Sequence, residues 1–450
     1  MRLTLREIAA AVNGRLSKPE YENLIISGVT TDSRNVPEGS LFVAVAGEFF
    51  DGHDFIQSAF HKGASCAVTH KELESARPLV IVEDTRKALL LLASYYLGLF
   101  NVKIVAITGS SGKTTTKDLI ASVLSQRYRT HKTTGNLNND IGLPITVFAM
   151  PTDTETAVLE MGMNHLGEIS VLSRVAKPDI AVITNIGVSH IENLGSQKGI
   201  LRAKLEILEG LKPGGFAIFN GDDEHLNTVK STVSIYRYGL GKGLPFRAIN
   251  IVKHGISGIS FTCLADNQAF DVFAPLPGMH MVYNALAAVS VGLALGLTCE
   301  EIQAGIKSFQ PSSFRLNITK NNRGITIIDD AYNSNPVSAA AALDVLAEAQ
   351  GRRICVLGDM MELGERGPSM HYETGKHAAG LGIDLILCVG ELSRHTYQGA
   401  EGSSRARYFA DKEQALSFLK NELRTGDTVL VKASRAMAFE EISRVLTGGI

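Results

Sequence analysis

The stretch AITGSSGKTTTKDLI, Ala106 to Ile120, decides how the chain is interpreted. An apolar run, VKIV, precedes it and a helix-like pattern follows, so the sequence predicts a strand, a glycine-containing turn and a helix. Such a turn directs backbone N–H groups and the positive end of a helix at one point, which favours a phosphate group. We therefore expect a loop that binds ATP or GTP.

This loop is shorter than the common phosphate-binding motif. The usual spacing, G-x-x-x-x-G-K-[S/T], needs a glycine where this chain has Ile107, so the loop is GSSGKT, Gly109 to Thr114. Lys113 would reach the β- and γ-phosphates, and the Thr114 hydroxyl would bind Mg²⁺. A tight turn with a solvated lysine is the alternative, and the flanking strand and helix favour the phosphate loop.

The bulk composition describes a globular protein of several domains. For 450 residues, at roughly 100–200 residues per domain, we expect two to four domains and take three as the working count. The formal net charge of −2 gives no general attraction to nucleic acid or anionic membranes. No segment has the ~18 uninterrupted apolar residues of a membrane helix. We expect a monomeric, cytoplasmic protein with no nucleic-acid partner and no membrane insertion.

The chain start and the cysteines support the same expectation. The sequence MRLTLREIAAAVNG lacks the apolar core of a signal peptide. The five cysteines are scattered and lack paired CxxC spacing, so we expect free thiols rather than a zinc site or disulfides.

The order of the apolar runs predicts three α/β domains. Residues 1–84 form a small N-terminal unit of short strands and an amphipathic helix. In residues 85–313, strand-like and helical runs alternate, which indicates a mainly parallel sheet around the phosphate loop. The pattern restarts in residues 314–450, which predicts a Rossmann-like domain. The segment FQPSSFR at this boundary suits a hinge.

Polar residues at the carboxyl ends of strands are candidates for the site, because ligands of open α/β sheets gather there. Glu160 ends the run TAVLE and could hold the metal of the nucleotide, with a surface glutamate as the alternative. His190 follows IAVITNI and is a candidate metal ligand or proton relay, although such a histidine often makes only local hydrogen bonds. Lys204 lies in a helical pattern, where a lysine that snorkels to solvent is the simpler interpretation.

The last domain offers an arginine and carboxylates. Arg315 follows the linker, and the stretch ITIIDDAYNSN places Asp329 and Asp330 at the end of that domain's first strand. This combination is typical of a site completed by domain closure, with Arg315 neutralising charge that develops in phosphoryl transfer. Taken singly, these residues would be ordinary surface charges.

Ten segments occur in an order that resembles a known family. They are AITGSSGKTTTKDL, TTGNLNNDIGLP, AVLEMGMNHLGEI, TNIGVSHIENLGS, RAKLEIL, LPGMHMVYNALAA, FRLNI, DDAYNSNP, VLGDMMELG and LVKASR. The order is similar to that of the ATP-dependent Mur ligases and covers nearly the whole chain. The resemblance implies an N-terminal domain for the UDP sugar, a central ATPase domain and a C-terminal Rossmann-like domain that brings the incoming amino compound.

The resemblance also implies roles for individual residues. Those implied in ATP binding are Gly109, Ser110, Ser111, Gly112, Lys113, Thr114, Thr115, Asn284, Arg315, Asp330, Tyr332 and Asn333. Those implied in catalysis are Lys113, Glu160, His190, Lys204 and Arg315. Two Mg²⁺ ions would be held by Thr114, Glu160, His190 and Lys204. Lys204 aligns with a lysine that is carbamylated in several relatives, and His190 is a candidate general base.

The implied substrates are UDP-N-acetylmuramoyl-tripeptide and D-alanyl-D-alanine. The residues implied in contacting them are Thr31, Asp32, Ser33 and Arg34 at the uridine, Thr134, Asn136, Asn138 and Asn139 at the muramoyl-peptide, and Asp359, Lys432, Ser434 and Arg435 at the dipeptide. A basic cluster that caps a nearby helix would explain the last three nearly as well. The implied reaction joins the two substrates through an acyl phosphate, with release of ADP and phosphate.

Three alternatives remain open. The diamino-acid-adding member of the family shares the N-terminal stretch, but the chain lacks that member's DNPR-type motif and carries GDMMELG instead. A folate polyglutamylase has the same architecture. A nucleotide-switch regulator would bind ATP without joining anything, and it would need no second substrate site.

Overall fold

The structure is a computed structural model that describes residues 1–47, 50–265, 268–312, 314–402 and 405–448. In these residues, three sheets of five, nine and six strands follow one another along the chain, and a two-stranded ribbon lies at its start. Parallel pairing dominates the three sheets. The predicted three-domain α/β architecture with mainly parallel sheets is therefore confirmed.

The N-terminal unit is built on a small sheet. Its elements are β1 (Leu3–Thr4), α1 (Leu5–Ala11), β2 (Arg15–Leu16), β3 (Ile25–Ile26), β4 (Val29–Thr30), β5 (Leu41–Val43), α2 (Ile56–His61), β6 (Cys66–Thr69) and β7 (Leu79–Ile81). The sheet has the order β2-β7-β6-β5-β4, with only the β2–β7 pair antiparallel among the described strands. Thr4 and Glu7 form a capping box that satisfies free N–H groups at the start of α1.

The central unit carries the largest sheet. Its elements are α3 (Thr85–Leu97), β8 (Lys103–Thr108), α4 (Lys113–Leu124), β9 (Thr130–Lys132), α5 (Gly142–Phe148), β10 (Thr156–Glu160), α6 (Glu168–Ala176), β11 (Ile180–Ile183), α7 (Ile191–Leu194), α8 (Gln197–Leu205), β12 (Phe216–Asn220), α9 (Glu224–Asn227), β13 (Ile235–Gly239), β14 (Phe246–Lys253), β15 (Ile259–Ala265), β16 (Gln268–Ala274), α10 (Met279–Ala294) and α11 (Cys299–Lys307). The order is β16-β15-β14-β13-β12-β11-β8-β10-β9. In this order, the strands from β14 through to β9 are parallel to one another. Strands β14, β15 and β16 form an antiparallel meander.

Strand β8 lies inside this sheet and is buried on both faces. Ile104 and Ala106 pack into a core with α3, α5 and α6, whereas Val105 and Ile107 pack into a second core with α4, α10 and α11. A parallel strand buried on both sides reads as a continuous apolar run, as this one does. The phosphate loop therefore begins from an interior strand that is packed on both faces.

The C-terminal unit is a second α/β sandwich. Its elements are β17 (Asn317–Lys320), β18 (Thr326–Asp329), α12 (Pro336–Ala347), β19 (Arg353–Gly358), α13 (Gly367–Gly380), β20 (Leu385–Val389), α14 (Ser393–Ala400), β21 (Arg405–Phe409), α15 (Lys412–Glu422), β22 (Thr428–Lys432) and α16 (Glu440–Thr447). The order is β17-β18-β22-β19-β20-β21, and β17 runs antiparallel to its neighbour. Helices α12, α13 and α14 cover one face, and α15 and α16 cover the other.

Short 3₁₀ turns complete the connections. They are Pro19–Tyr21, Gly52–Phe55, Glu206–Gly210, Gly255–Ser257, Gly364–Arg366 and Arg435–Met437. Within the described part of the chain, every helix is too short or too polar to cross a bilayer. All five cysteines are free thiols, and Cys299 is the one that is not fully buried.

The boundary between the last two units is anchored to the phosphate-loop helix. Oγ of Ser312 donates a hydrogen bond to Oδ2 of Asp118 on α4, at 2.5 Å. Phe314 and Leu316 both have positive φ, at 64° and 49°, so the chain bends sharply around Arg315. The expected boundary falls at Ser313, which lies outside the described residues, and the expected boundary at residue 84 falls at the start of α3. Both boundaries stay predictions.

We predict that Gly375→Ala destabilises the C-terminal domain. Helices α13 and α14 approach so closely that a Cβ on Gly375 would lie 1.9 Å from the carbonyl oxygen of Thr396. The helices would have to separate, at a cost of about 1–3 kcal/mol in the free energy of unfolding. Gly380→Ala, at the exposed end of α13 with no neighbour within 4 Å, is the matched control. Denaturant unfolding that ranks the two variants as equally stable would contradict this packing.

Candidate functional site

The phosphate loop, residues 109–114, needs glycine at two positions. A Cβ on Gly109 would lie 1.8 Å from Oγ1 of Thr184, so no larger residue fits there. Gly112 has a φ of 75°, and a Cβ there would also lie 3.0 Å from Oδ1 of Asn284. Only glycine combines this left-handed backbone with so close an approach at low cost.

Residues at the end of β11 hold the phosphate loop in place. The backbone N–H of Ser110 donates to the carbonyl oxygen of Asn185 at 3.1 Å, and that of Ser111 donates to the Asn185 side chain at 3.0 Å. The Thr184 hydroxyl donates to the carbonyl of Ser111 at 2.7 Å. The sequence analysis missed Thr184 and Asn185, although their position after a strand was a usable signal.

The phosphate loop fits a phosphate group. Lys113 begins the twelve-residue helix α4, and its Nζ donates to the carbonyl of Gly109 at 2.9 Å, so the ammonium group lies over the loop. The Oγ of Ser110 is buried, and no described residue hydrogen-bonds to it. A buried hydroxyl without a partner, a lysine and a helix N-terminus together suit an anion.

A carboxylate stands at the start of α4, as the sequence predicted. Glu160, at the end of β10, is 2 % exposed, which is inconsistent with a surface glutamate. Its Oε2 accepts a hydrogen bond from Thr114 at 2.8 Å, and its Oε1 accepts one from Nδ2 of Asn138 at 2.9 Å. Nζ of Lys117 lies 3.9 Å from Oε2. A hydroxyl and a carboxylate beside a phosphate site form the oxygen donor set that Mg²⁺ takes, with phosphate oxygens and water completing it.

Three cations converge near the phosphate loop. Burial lowers the pKa of Lys113, as does nearby Arg315, while Glu160 and Glu362 oppose that shift. Lys204 is 2 % exposed, so its side chain is buried and does not extend into solvent as the snorkelling interpretation requires. Burial, with a smaller effect of Lys113, holds the pKa of Lys204 well below its ordinary value. Among the described residues, none hydrogen-bonds or ion-pairs with Nζ of Lys204.

A cavity of about 440 Å³ joins the phosphate loop to the C-terminal domain. The predicted residues that line it are Ser110, Ser111, Gly112, Lys113, Thr114, Thr115, Asn136, Asn138, Glu160, Asn284, Arg315, Asp330, Tyr332, Asn333 and Lys432. Lining residues that the sequence analysis missed include Asn185, Asn220, Tyr238, His280, Tyr283, Asn335 and Ser338. The cavity thus brings together residues of the central and C-terminal domains.

The C-terminal wall of the cavity is held by its own contacts. The Arg315 guanidinium stacks over the Tyr332 ring, 4.0 Å from its centroid. Lys432 is buried, and its Nζ lies 2.5 Å from Oδ2 of Asp330 and 3.0 Å from the carbonyl of Asn333. Because Lys432 already has a carboxylate partner, it positions Asp330 at the cavity.

Several predicted residues lie outside the cavity lining. Nδ1 of His190 lies 2.8 Å from Oε2 of Glu362, a contact between the central and C-terminal domains. The buried Asp359 accepts hydrogen bonds from the backbone and hydroxyl of Ser393, both at 2.7 Å, so it fixes the start of α14. The others outside the lining are Gly109, Thr134, Asn139, Lys204, Ser434 and Arg435.

Two of these outlying residues hold loop structure. The backbone N–H of Met361 donates to Oγ of Ser434 at 2.9 Å, so Ser434 fixes the loop that follows β19. Oδ1 of Asn139 accepts the N–H of Gly142 at 2.8 Å and thereby holds the start of α5. Arg435 approaches the Tyr332 ring, 5.9 Å from its centroid, from the side of the C-terminal domain.

The predicted uridine residues form a turn in the N-terminal unit, between β4 and β5. Arg34 donates to Asp32 through its backbone N–H and its guanidinium, all at 2.9 Å, which lowers the pKa of Asp32 to about 2. Nζ of Lys62 donates to the carbonyl of Ser33 at 2.8 Å. Thr31 is half-buried beside this turn. None of the four lines the cavity at the phosphate loop.

The fold and the cavity define a class: α/β proteins in which a nucleotide-binding loop of one domain is completed by residues of the next. Three family models match the chain: "Mur ligase family, catalytic domain" over residues 25–96, "Mur ligase middle domain" over 107–292, and "Mur ligase, glutamate ligase domain" over 314–435. The chain belongs to the Mur ligase family.

Individual relatives are similar over almost the whole chain. UDP-N-acetylmuramoyl-tripeptide--D-alanyl-D-alanine ligase of Bacillus subtilis is 41% identical over 451 residues, covering 98% of each chain. The Escherichia coli enzyme of the same name is 38% identical, covering 99% of this chain and 98% of its own. A crystal structure of MurF from Acinetobacter baumannii has a TM-score of 0.93 at 33% identity, covering 100% of this chain and 99% of its own.

A further solved structure bears on the nucleotide. MurF ligase from Thermotoga maritima in complex with ADP has a TM-score of 0.84 at 30% identity, covering 94% of this chain and 97% of its own.

We predict that Glu160→Gln raises the Mg²⁺ concentration needed for ATP binding. The amide keeps the size of the side chain but removes the negative charge beside Thr114, so a cation is held less tightly. The half-saturating Mg²⁺ concentration should rise by about tenfold or more. Titration of Mg²⁺ at fixed ATP, followed by calorimetry, measures it.

Glu224→Gln, an exposed glutamate of α9 in the same domain, is the matched control and should leave the titration unchanged. An unchanged Mg²⁺ requirement in Glu160→Gln would remove Glu160 from the metal site.

Proposed function

We propose that this protein is an ATP-dependent ligase that joins D-alanyl-D-alanine to UDP-N-acetylmuramoyl-tripeptide, giving the UDP-muramoyl-pentapeptide of peptidoglycan synthesis. Similarity over almost the whole chain to relatives that bear this activity in their names supports the assignment. The structural observation that carries it is the cavity shared by the phosphate loop and the C-terminal domain, because a ligation must bring nucleotide and two substrates together.

The first step activates the carboxylate at the end of the tripeptide. A carboxylate does not react directly with an amine, because its leaving group would be oxide. Its oxygen instead attacks the γ-phosphorus of ATP in line, a new P–O bond forms, the bond to ADP breaks, and an acyl phosphate results. Lys113 and Arg315 neutralise charge on the transferring group, and their positions are fixed by the phosphate loop and by Tyr332.

Magnesium fits this site through the oxygen donors of Thr114 and Glu160. When bound, it would supply charge neutralisation at the β- and γ-phosphates. Thr114 and Glu160 are already aligned by their mutual hydrogen bond, and Asn138 holds the other carboxylate oxygen. The chain therefore holds these donors in place before the nucleotide arrives.

A carbamate on Lys204 would remove the repulsion between the ammonium groups of Lys204 and Lys113. A buried lysine with no partner among the described residues is poorly stabilised as an ammonium ion, which lowers its pKa and favours the neutral amine. A neutral amine can add to CO₂ and lose a proton, which gives a carbamate anion. The anion would face Lys113 with a favourable charge, and it could act as an oxygen ligand for the second metal ion.

The second step forms the peptide bond. The amine of D-alanyl-D-alanine attacks the acyl carbon, the tetrahedral intermediate expels phosphate, and the amine loses one proton. A general base contributes about 10²–10⁴-fold in typical enzymes. His190 is our candidate, because it lies at the contact of the two domains that bring the substrates together.

The substrate contacts are also part of the proposal. Residues 31–34 would bind the uridine end, and Asn136 and Asn138 would approach the muramoyl-peptide from the cavity wall. At the dipeptide end, Lys432 is buried and paired with Asp330, whereas the Arg435 guanidinium, which pairs with Glu440 at 2.7 Å, stays largely exposed and is therefore our candidate for the carboxylate. The monomeric state and cytoplasmic location stay predictions.

We predict that phosphate release from ATP requires both substrates. The purified chain should release phosphate and form a UDP-muramoyl-pentapeptide only with UDP-N-acetylmuramoyl-tripeptide and D-alanyl-D-alanine present together. Each is omitted in turn, and mass spectrometry identifies the product. Replacement of the dipeptide by a single amino acid, with equal rates, would contradict the dipeptide assignment, and release without either substrate would contradict the ligase.

We predict that Lys204 carries a carbamate under ordinary CO₂. Protein prepared with ¹³C-bicarbonate should give a carbonyl ¹³C signal that is absent in Lys204→Arg, because the guanidinium stays protonated and cannot add CO₂. Lys198→Arg, on the same helix, is the matched control and should keep the signal. A signal of equal size in Lys204→Arg, or none in the parent protein, would contradict the carbamate.

A further inference from the structure

One carboxylate of the C-terminal domain contacts the central domain across the interface. Oε2 of Glu362 lies 2.8 Å from Nδ1 of His190, and the two residues belong to different domains. Gly364, two residues further on, approaches the same segment: a Cβ on it would lie 3.7 Å from Cβ of Glu192. The contact is therefore a docking of two short segments, 362–364 on 190–192.

Both partners are held in an unusual backbone conformation. His190 has a φ of 62° and Glu362 a φ of 63°, in the left-handed region that non-glycine residues rarely adopt. Such conformations persist only where the surrounding structure enforces them. The positions of these two side chains are thus set by the loops that carry them.

The loop that carries Glu362 is anchored to its own domain on both sides. The N–H of Met360 donates to Nε2 of His371 at 2.9 Å, and that of Met361 donates to Oγ of Ser434 at 2.9 Å. Leu363 is buried against Met360 in a small apolar cluster. The Glu362 carboxylate therefore moves with the C-terminal domain as a rigid body.

Glu362 also acts on the phosphate loop. Its negative charge opposes the lowering of the pKa of Lys113, and Lys113 in turn helps to hold the pKa of Glu362 below its ordinary value, after the larger effect of His190. The charge of the Glu362 carboxylate thus acts on both the imidazole of His190 and the lysine of the phosphate loop. Closure of the C-terminal domain therefore adds one negative charge that acts on Lys113.

We propose that Glu362 is an interdomain positioning residue for the ligation, which fixes the tautomer and ring orientation of His190 only when the C-terminal domain is closed. Nδ1 of His190 lies 2.8 Å from Oε2 of the carboxylate, so a proton on Nδ1 is favoured by that negative charge, and the lone pair of Nε2 stays free to accept a proton or bind a metal ion. The inference rests on the proposed ligase function. It means that His190 has the tautomer and orientation needed to accept a proton or bind a metal ion only when the domain that brings the dipeptide has docked.

The kinetic test compares Glu362→Ala, Glu362→Gln and the control Glu365→Ala. Glu365 is exposed on the same loop, and no described residue pairs with its side chain. We expect Glu362→Ala to lower kcat about 10- to 100-fold with KM for ATP nearly unchanged, and Glu362→Gln to lower it less, because its amide oxygen still accepts Nδ1–H. Glu365→Ala should keep the parental kcat. Equal kcat values in the parent and Glu362→Ala would overturn the proposal.

A double-mutant cycle tests whether Glu362 acts through His190. If it does, Glu362→Ala combined with His190→Asn is no slower than His190→Asn alone. Losses that multiply fully would show that Glu362 acts elsewhere and would overturn the proposal.

A spectroscopic measurement does not depend on activity. In ¹⁵N-histidine-labelled full-length protein, the imidazole signals assigned through His190→Asn should show protonated Nδ1 in the parent and in Glu365→Ala, and a changed pattern in Glu362→Ala. Identical His190 signals in all of these would overturn the positioning role even if the chain is a ligase. Conversely, a chain without ligase activity that keeps the expected pattern would overturn only the proposed function.

Discussion

The constraint on which the structure depends is the phosphate loop, which must present bare backbone and positive charge at one point. Gly109 can lie against Thr184 only because it has no Cβ, and Gly112 turns the chain into α4 through a left-handed conformation. The loop is fixed by β8 below it and by Asn185 beside it. Every other feature of the site is arranged around this fixed point, including the carboxylate of Glu160 and the buried Lys204.

The central domain, which carries the phosphate loop, does not complete the site alone. The central domain supplies the phosphate loop, whereas Arg315, Asp330 and Tyr332 come from the C-terminal domain. The hydrogen bond from Ser312 to Asp118 ties the linker to the helix that begins at Lys113. On the other side of the interface, Lys253 pairs with Glu348 at 2.6 Å. The closed arrangement is therefore held at several separate points, and a ligation that must exclude water from an acyl phosphate benefits from this.

Much of the fold and part of the candidate site could be predicted from the sequence, for identifiable reasons. The three sheets and the phosphate loop follow from local patterns: apolar strands, a glycine turn and polar residues at strand ends. Glu160 and Arg315 were found because their positions follow from strand and linker boundaries. The burial of Lys204 was not predicted by its own helical pattern, because the pattern does not tell which elements pack over that face. The sequence analysis did not identify Glu362, because its role depends on a contact between loops of two domains, which no spacing rule encodes.

The central claim is that one closed cavity holds the nucleotide between the phosphate loop and the C-terminal domain. A crystal structure of the full chain with Mg²⁺, a non-hydrolysable ATP analogue and UDP-N-acetylmuramoyl-tripeptide tests it most directly. We expect the triphosphate on the backbone N–H groups of residues 110–114, with Arg315 and Lys113 at the γ-phosphate and Asp330 in contact with the nucleotide. A triphosphate bound away from this loop, or a nucleotide bound there with no contact to the C-terminal domain, would contradict the account.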